Sequence, residues 1–331
     1  MDRVGITTTI PAEIIFAANK TVVDLNNLFI TGLGSSGYIE EAEVDGFPRT
    51  TCGWIKGMYS ACLDHGIQTV VAVTQGDCSN THSLMEILKS KGVETAPFDY
   101  PLSRDIKMMK ASLLRLANFF EINIDKAEHW REKLNIAREK LWRIDKMTWK
   151  DGVVSGFENH LLQVSASDFE SDPDAFEKKL DSFIEEASLR KPIHFPVRLG
   201  MIGVPTIIEG LYEFAEQHQA RFLFNETQRQ FTMPNGGSNL AEQYLRYTYP
   251  YDICPRITDI NEQVKLRQLD GIVHYVQSFC HMQMEDLLFR ERLDMPILTI
   301  EGDTPGPIDA RTKIRMESFI QMIQQQKAAL V

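Results

Sequence analysis

Apolar residues along this chain alternate between two rhythms. Short β-branched runs are followed by stretches in which apolar positions recur three and four residues apart. Gly271, Ile272, Val273, Tyr275 and Val276 form a run of the first kind. Met284, Leu287 and Leu288, within Met282 to Arg292, are spaced as on one helix face. Cys280 stands at the corner between them. Thr69 to Thr74 repeats the pattern, passing through Gly76-Asp77-Cys78-Ser79 into a helix from Asn80 to Lys91. A thiol at such a corner meets backbone NH groups and the positive end of the adjoining helix, which favours its thiolate. Ligands of open α/β sheets gather at the carboxyl ends of strands, so the two corner cysteines predict one functional edge.

The same two rhythms order the rest of the chain. Val4 to Thr8 reads as a short strand or extended lead-in, Pro11 suits the first turn of a helix through Ile14, Ile15 and Ala18, and Val22 to Ile30 reads as extended. Gly32-Leu33-Gly34-Ser35-Ser36-Gly37 fits G-x-G-x-x-G. The residues after it are acidic and run into Pro48, so a loop or short helix outweighs a dinucleotide fingerprint. Thr50 or Thr51 can cap a helix from Cys52 to Gly66, with Ile55, Met58, Tyr59 and Cys62 forming a core stripe. On that helix Cys52 and Cys62 lie about 15 Å apart along the axis and cannot share one small ligand. Val93 to Pro97 is a further strand. Helices are predicted over Ser103 to Ile122, from Asp125 to Lys146, and over Ser155 to Val164 and Asp172 to Arg190. The second half gives strands at Val197 to Ile202, Ala220 to Phe224 and Ile297 to Glu301. Its helices are Ile207 to Gln217, Asn239 to Tyr247, Thr258 to Leu269 and Asp309 to Gln325. Alternation of this kind predicts two doubly wound parallel sheets, Rossmann-like or flavodoxin-like, at residues 1–102 and 193–331. A helical segment, 103–192, connects them.

Composition narrows the chemistry. At 331 residues and net charge −11 the chain is long enough for two cores, and it lacks the basic character of a nucleic-acid surface. Its first residues have no signal-peptide core, and no apolar run approaches the ~18 residues of a membrane span, so a cytoplasmic location is expected. Five cysteines, Cys52, Cys62, Cys78, Cys254 and Cys280, are scattered and odd in number, which makes disulfides poor candidates. Cys52, Cys78 and Cys280 each start a helix and converge if the two sheet edges face each other. Zinc would need a fourth ligand, for which His281 or His82 is available, but no C-x-x-C pair exists. Three thiolates on a [4Fe-4S] cluster leave one iron open for chemistry. Buried or corner thiols without metal remain an equal alternative on composition.

Beyond these readings, several stretches match a known family together: Ile10-Pro11-Ala12-Glu13-Ile14-Ile15-Phe16-Ala17-Ala18, Thr51-Cys52-Gly53-Trp54-Ile55-Lys56-Gly57, Gly76-Asp77-Cys78, Gly203-Val204-Pro205, Gly271 to His281, and Thr299-Ile300-Glu301-Gly302-Asp303 with Arg311-Thr312-Lys313-Ile314-Arg315 downstream. The chain resembles the 2-hydroxyacyl-CoA dehydratase subunit family, whose members are related to the dehydratases of 2-hydroxyglutaryl-CoA and to benzoyl-CoA reductase subunits. The resemblance implies that Cys52, Cys78 and Cys280 ligate a [4Fe-4S] cluster between two α/β domains. It also implies a homologous subunit or self-association, and an ATP-dependent activator delivering one low-potential electron. The chain has no P-loop, as that division of labour expects. In the family's dehydratases the carbonyl of a CoA thioester meets the open iron and is reduced to a ketyl radical, which acidifies the β-proton and releases hydroxide. Glu13 is then the expected acid or base, against the alternative that it serves only as an acidic residue at the start of a helix. Lys56 is expected as either a solvated surface residue or a local cation for the site. Five cysteines favour one cubane over a double-cubane cluster and leave Cys254 without a role. An electron-transfer or accessory protein, a double-cubane-type reductase, and a zinc or metal-free binding protein are the competing readings.

Overall fold

The computed structural model describes residues 2–32 and 34–329. In the first half β1 (Arg3–Ile6), α1 (Ala12–Ala17), β2 (Thr21–Asp24), α2 (Leu25–Thr31), α3 (Ser35–Val44), α4 (Gly53–Asp64), β3 (Thr69–Gln75), α5 (Asn80–Ser90) and β4 (Glu94–Asp99) succeed one another. The middle is helical, with α6 (Ile106–Phe119), α7 (Ile124–Lys146), α8 (Gly156–Val164) and α9 (Pro173–Ser188). The second half runs through β5 (Val197–Gly203), β6 (Ile208–Glu209), α10 (Leu211–Gln217), β7 (Ala220–Asn225), α11 (Glu226–Phe231), α12 (Leu240–Arg246) and α13 (Ile253–Arg267). It closes with β8 (Gly271–Gln277), α14 (Asp286–Arg292), β9 (Ile297–Gly302), β10 (Gly306–Pro307) and α15 (Ala310–Ala329).

Two parallel four-stranded sheets result, as the alternation predicts. The first has the order β2-β1-β3-β4 and the second β7-β5-β8-β9. Counted within each half, both orders read second, first, third, fourth strand, so the halves share a topology that their sequences do not announce. In each sheet the chain reverses its direction of winding between the first and third strands, the place where open α/β sheets bind ligands. β3 and β8 are these third strands, and their buried apolar runs explain why they lie inside the sheets. The middle helices do not stand apart: Leu134, Leu141, Phe176 and Leu180 share one core with Val4, Ile6 and Val71 of the first sheet and with Tyr244 of α12. Among the described residues, no helix is long and apolar enough to cross a membrane.

Local chemistry moves some predicted boundaries. Val22 to Ile30 is not extended throughout, because the Asp24 carboxylate accepts from Asn26 N at 2.9 Å and starts α2 directly where β2 ends. The helix expected from Thr258 to Leu269 begins earlier and ends earlier: α13 starts at Ile253 under an Asp252 cap with Pro255 in its first turn and stops at Arg267, where Gln268 turns left-handed. Ile207 to Gln217 is split by Gly210, at φ 76°, into a two-residue strand and a helix. Asn123, rather than Asp125, caps α7. The G-x-G-x-x-G stretch includes Leu33, outside the described residues. Beyond it Gly34 takes φ 95° and leads into the short helix α3.

Gly57 lets α4 lie against α2. A Cβ there would stand 2.3 Å from the ring of Phe29, which is fully buried. Gly57→Ala therefore overpacks a rigid contact, at a cost of roughly 1–3 kcal/mol, which outweighs the helix-propensity gain of ~1 kcal/mol. Urea unfolding should show a lower midpoint with an unchanged slope.

Candidate functional site

Cys52, Cys78 and Cys280 line one cavity between the carboxyl edges of the two sheets, with about 930 Å³ of empty space including its mouth. Cys52 caps α4, Cys78 sits just before α5, and Cys280 caps a 3₁₀ turn (His281–Glu285) leading into α14. The loops after the first strand of each sheet complete the walls, through Thr7 and Thr8 on one side and Val204, Pro205 and Thr206 on the other. The halves touch directly here. Gln277 Nε2 donates to Asp303 O at 2.8 Å, and a Cβ on Gly53 would lie 2.7 Å from that same carbonyl. Gly76, at φ 97°, brings the Asp77-Cys78 turn against Pro250, whose carbonyl would be 2.4 Å from an added Cβ. Phe279 precedes Cys280 at φ 64°, a conformation that is costly for a bulky residue, and it closes a turn in which Cys280 N donates to Gln277 O at 3.0 Å.

The electrostatics differ from the expected thiolate-favouring corners. Burial pushes the Cys52 thiol up to about 11, and the Cys78 and Cys280 thiols up to about 12. Backbone NH groups of Trp54 and Ile55, of Asn80 and Thr81, and of Met282 pull the other way but do not win. Desolvation of a thiolate thus exceeds the pull of a single helix start here. Each of the three is also raised by the charge of a neighbour in the set: Cys52 by Cys78, Cys78 by Cys280 and Cys280 by Cys52. Bound to a metal, such thiols lose their protons outright, because the cation replaces the lost hydration. Three thiols on one cavity wall are donors of the type that soft metals take. Among the described residues, no group of three or more His, Cys, Asp or Glu side chains is placed to hold a metal ion.

Cys62 is fully buried in the α4 core stripe and lies outside the cavity wall. Cys254 is exposed near the start of α13, with Arg292 Nη1 3.4 Å from its sulfur, and also lies outside the cavity.

Glu13 is not where the proton-transfer expectation needs it. Its carboxylate is fully buried and does not line the cavity. It accepts from Arg138 at 2.8 Å, Gln243 Nε2 at 3.0 Å and Tyr244 Oη at 2.8 Å. The helix start that makes Glu13 favourable on α1 also points it into this network joining α1, α7 and α12. Lys56 is not a solvated surface residue: it is buried, pairs with Glu43 at 2.8 Å and does not line the cavity, while its charge pulls the Cys52 thiol down against the larger effect of burial.

Acidic groups that the motifs did not single out as acids do line it. Asp24, at the end of β2, is buried and raised by that burial, and Asn26 N and Nδ2 both donate to its Oδ1. Behind it, Asp168 Oδ2 accepts from Asp24 N at 2.9 Å, and burial, then the Asp24 charge, lifts its carboxyl to about 7. Asp77 is raised to about 6 by burial, with Tyr249 Oη 3.4 Å from its Oδ1. Burial holds His160 down at about 4, hence neutral. The sequence signal for Asp24 was a carboxyl residue ending a strand, which the extended reading through Ile30 concealed.

Both buried acids give measurable outcomes. Glu13→Gln should cost about 3 kcal/mol or more, since it leaves Arg138 as an uncompensated buried cation. The Glu13→Gln, Arg138→Met double variant should recover most of that loss in thermal unfolding. Asp168 binds its proton more tightly folded than unfolded, so its contribution is fully present below pH ~4 and is lost as pH rises through about 7. Asp168→Asn should flatten that decline in stability curves recorded between pH 4 and 8.

Comparison with known proteins bears on this geometry. None of the curated proteins matches the chain significantly. Among solved structures, the SBP FpvC from Pseudomonas aeruginosa in complex with Mn2+ aligns over 98% of this chain and 100% of its own, at 12% identity and a TM-score of 0.24, too slight a likeness to bear on fold or site. The family model described as 2-hydroxyglutaryl-CoA dehydratase, D-component, matches residues 7–323, a span that takes in all three cavity cysteines. Nearly the whole chain is covered, and the protein belongs to the 2-hydroxyglutaryl-CoA dehydratase, D-component, family.

Proposed function

We propose that this chain is the iron-sulfur component of a 2-hydroxyacyl-CoA dehydratase, with Cys52, Cys78 and Cys280 holding a [4Fe-4S] cluster that has one iron open to substrate. The observation that carries this reading is the convergence of three cysteines from both halves on one cavity. When bound, the cluster would supply one-electron chemistry at a thioester carbonyl. An ATP-dependent activator would deliver the electron, and a partner subunit or second copy would complete the assembly.

The chain's own residues would do the rest. The carboxyl termini of β1 and β5 supply polar and apolar walls that orient the acyl group. Trp54, Ile55, Met58 and Phe231 keep water from it. Asp24 stands in this wall as a carboxyl group able to take the β-proton at its Oδ atoms or return it to the departing hydroxide, the role first expected of Glu13. Neutral His160 adds no competing positive charge.

Anaerobic reconstitution with iron and sulfide tests the assignment. The wild-type chain should bind close to ~4 iron and ~4 sulfide with charge-transfer absorption near the visible. Serine at Cys52, Cys78 or Cys280 should abolish or strongly reduce that absorption, whereas Cys62→Ser should keep it. Iron binding that survives all three replacements, or that fails in the wild type, overturns the assignment.

A further inference from the structure

If a CoA thioester enters this cavity, as the proposed function has it, the charges on the wall decide which acyl groups are accepted. Among the described residues the wall carries two carboxyl groups, Asp24 and Asp77, and no lysine or arginine. Of its two histidines, His160 is neutral and His281 is exposed at the mouth. Buried cations of neighbouring elements are already matched: Arg138 by Glu13 at 2.8 Å, Arg229 by Asp259 at 2.9 Å, Lys56 by Glu43 at 2.8 Å, and Arg256 by Glu226 at 2.6 Å and by Glu285.

Helix starts are the other source of positive potential, and they are taken too. The Asp24 carboxylate occupies the start of α2, and NH groups at the starts of α4 and α5 serve the sulfurs of Cys52 and Cys78. Much of the remaining wall is apolar, through Ile30, Trp54, Met58, Val204, Phe231 and Met282. A carboxylate brought into such a space loses its hydration, gains no cation and meets two acids.

We propose that the cavity takes 2-hydroxyacyl thioesters whose acyl chain is uncharged and discriminates against chains ending in a carboxylate, including the 2-hydroxyglutaryl group for which the family is named. Selectivity of this kind is set by what the wall leaves unpaired: an alkyl terminus fits against Met58 and Phe231, whereas a carboxylate has no partner.

Calorimetric titration of the full chain, reconstituted anaerobically, with 2-hydroxyhexanoyl-CoA and with 2-hydroxyglutaryl-CoA at one pH and ionic strength tests the proposal. The uncharged chain should bind at least tenfold more tightly. Asp24→Asn should reduce that ratio at least threefold, and asparagine keeps the cap of α2 so that the fold is preserved. Equal or tighter binding of 2-hydroxyglutaryl-CoA, or a ratio unmoved in both Asp24→Asn and Asp77→Asn, overturns the proposal and leaves the thioester function standing. Binding of neither thioester overturns both.

Discussion

A parallel sheet sends the carboxyl end of every strand to the same edge, and the architecture of this protein rests on that constraint. Two such sheets with one winding order bring the ends of β1, β2 and β3 opposite those of β5 and β8. Residues far apart in sequence, among them Thr7, Asp24, Cys78, Val204 and Cys280, then meet without any long excursion of the backbone. The hydrogen-bond ladders fix the strands, and the cavity is what remains where the loops leave them.

Outside the cavity wall the chain buries several charges in pairs. Glu13 with Arg138, Asp145 with Arg267, and Glu226 with Arg256 are all ion pairs removed from water. Such pairs are weak sources of net stability, since desolvation offsets most of their attraction, yet removing one partner is severe. Their geometric role is plainer. Arg267 ties α7 to α13, with Asp145 on one side and the Leu223 carbonyl on the other, and Arg256 clamps the 3₁₀ turn after Cys280 through Glu285. Directional contacts of this kind hold loops in register where apolar packing alone would let them slide. They also explain why none of these cations is free to face the cavity.

Much of this was legible before any coordinates. β-branched runs ending at Cys78 and Cys280 marked the third strand of each sheet, because a buried parallel strand must be continuously apolar. The core stripe of α4 correctly set Cys62 apart from Cys52. Glu13 was misread because a carboxylate at a helix start looks the same whether it faces solvent, substrate or a buried arginine; only the tertiary position of Arg138, far along the chain, decides. Thiol ionisation was misread for a related reason, since the helix start is visible in sequence and the depth of burial is not. Asp24 and Asp168 escaped notice because their proximity spans more than a hundred residues. The two-residue strands β6 and β10 carry no periodicity to detect.

Cys254 takes on meaning from the repeated topology. α4 lies between the second and third strands of the first sheet, and α13 lies between the second and third strands of the second. Cys52 begins the former and Cys254 the latter, just as Cys78 and Cys280 come after equivalent strands. A twofold scaffold thus sets out four cysteines in two matched pairs, but only three face the shared cavity, the fourth being turned outward toward Arg292. Parity is broken at a single corner. A strictly symmetric version would line the cavity evenly with four thiols; the unpaired corner gives the cavity a thiol-bearing side and an open one.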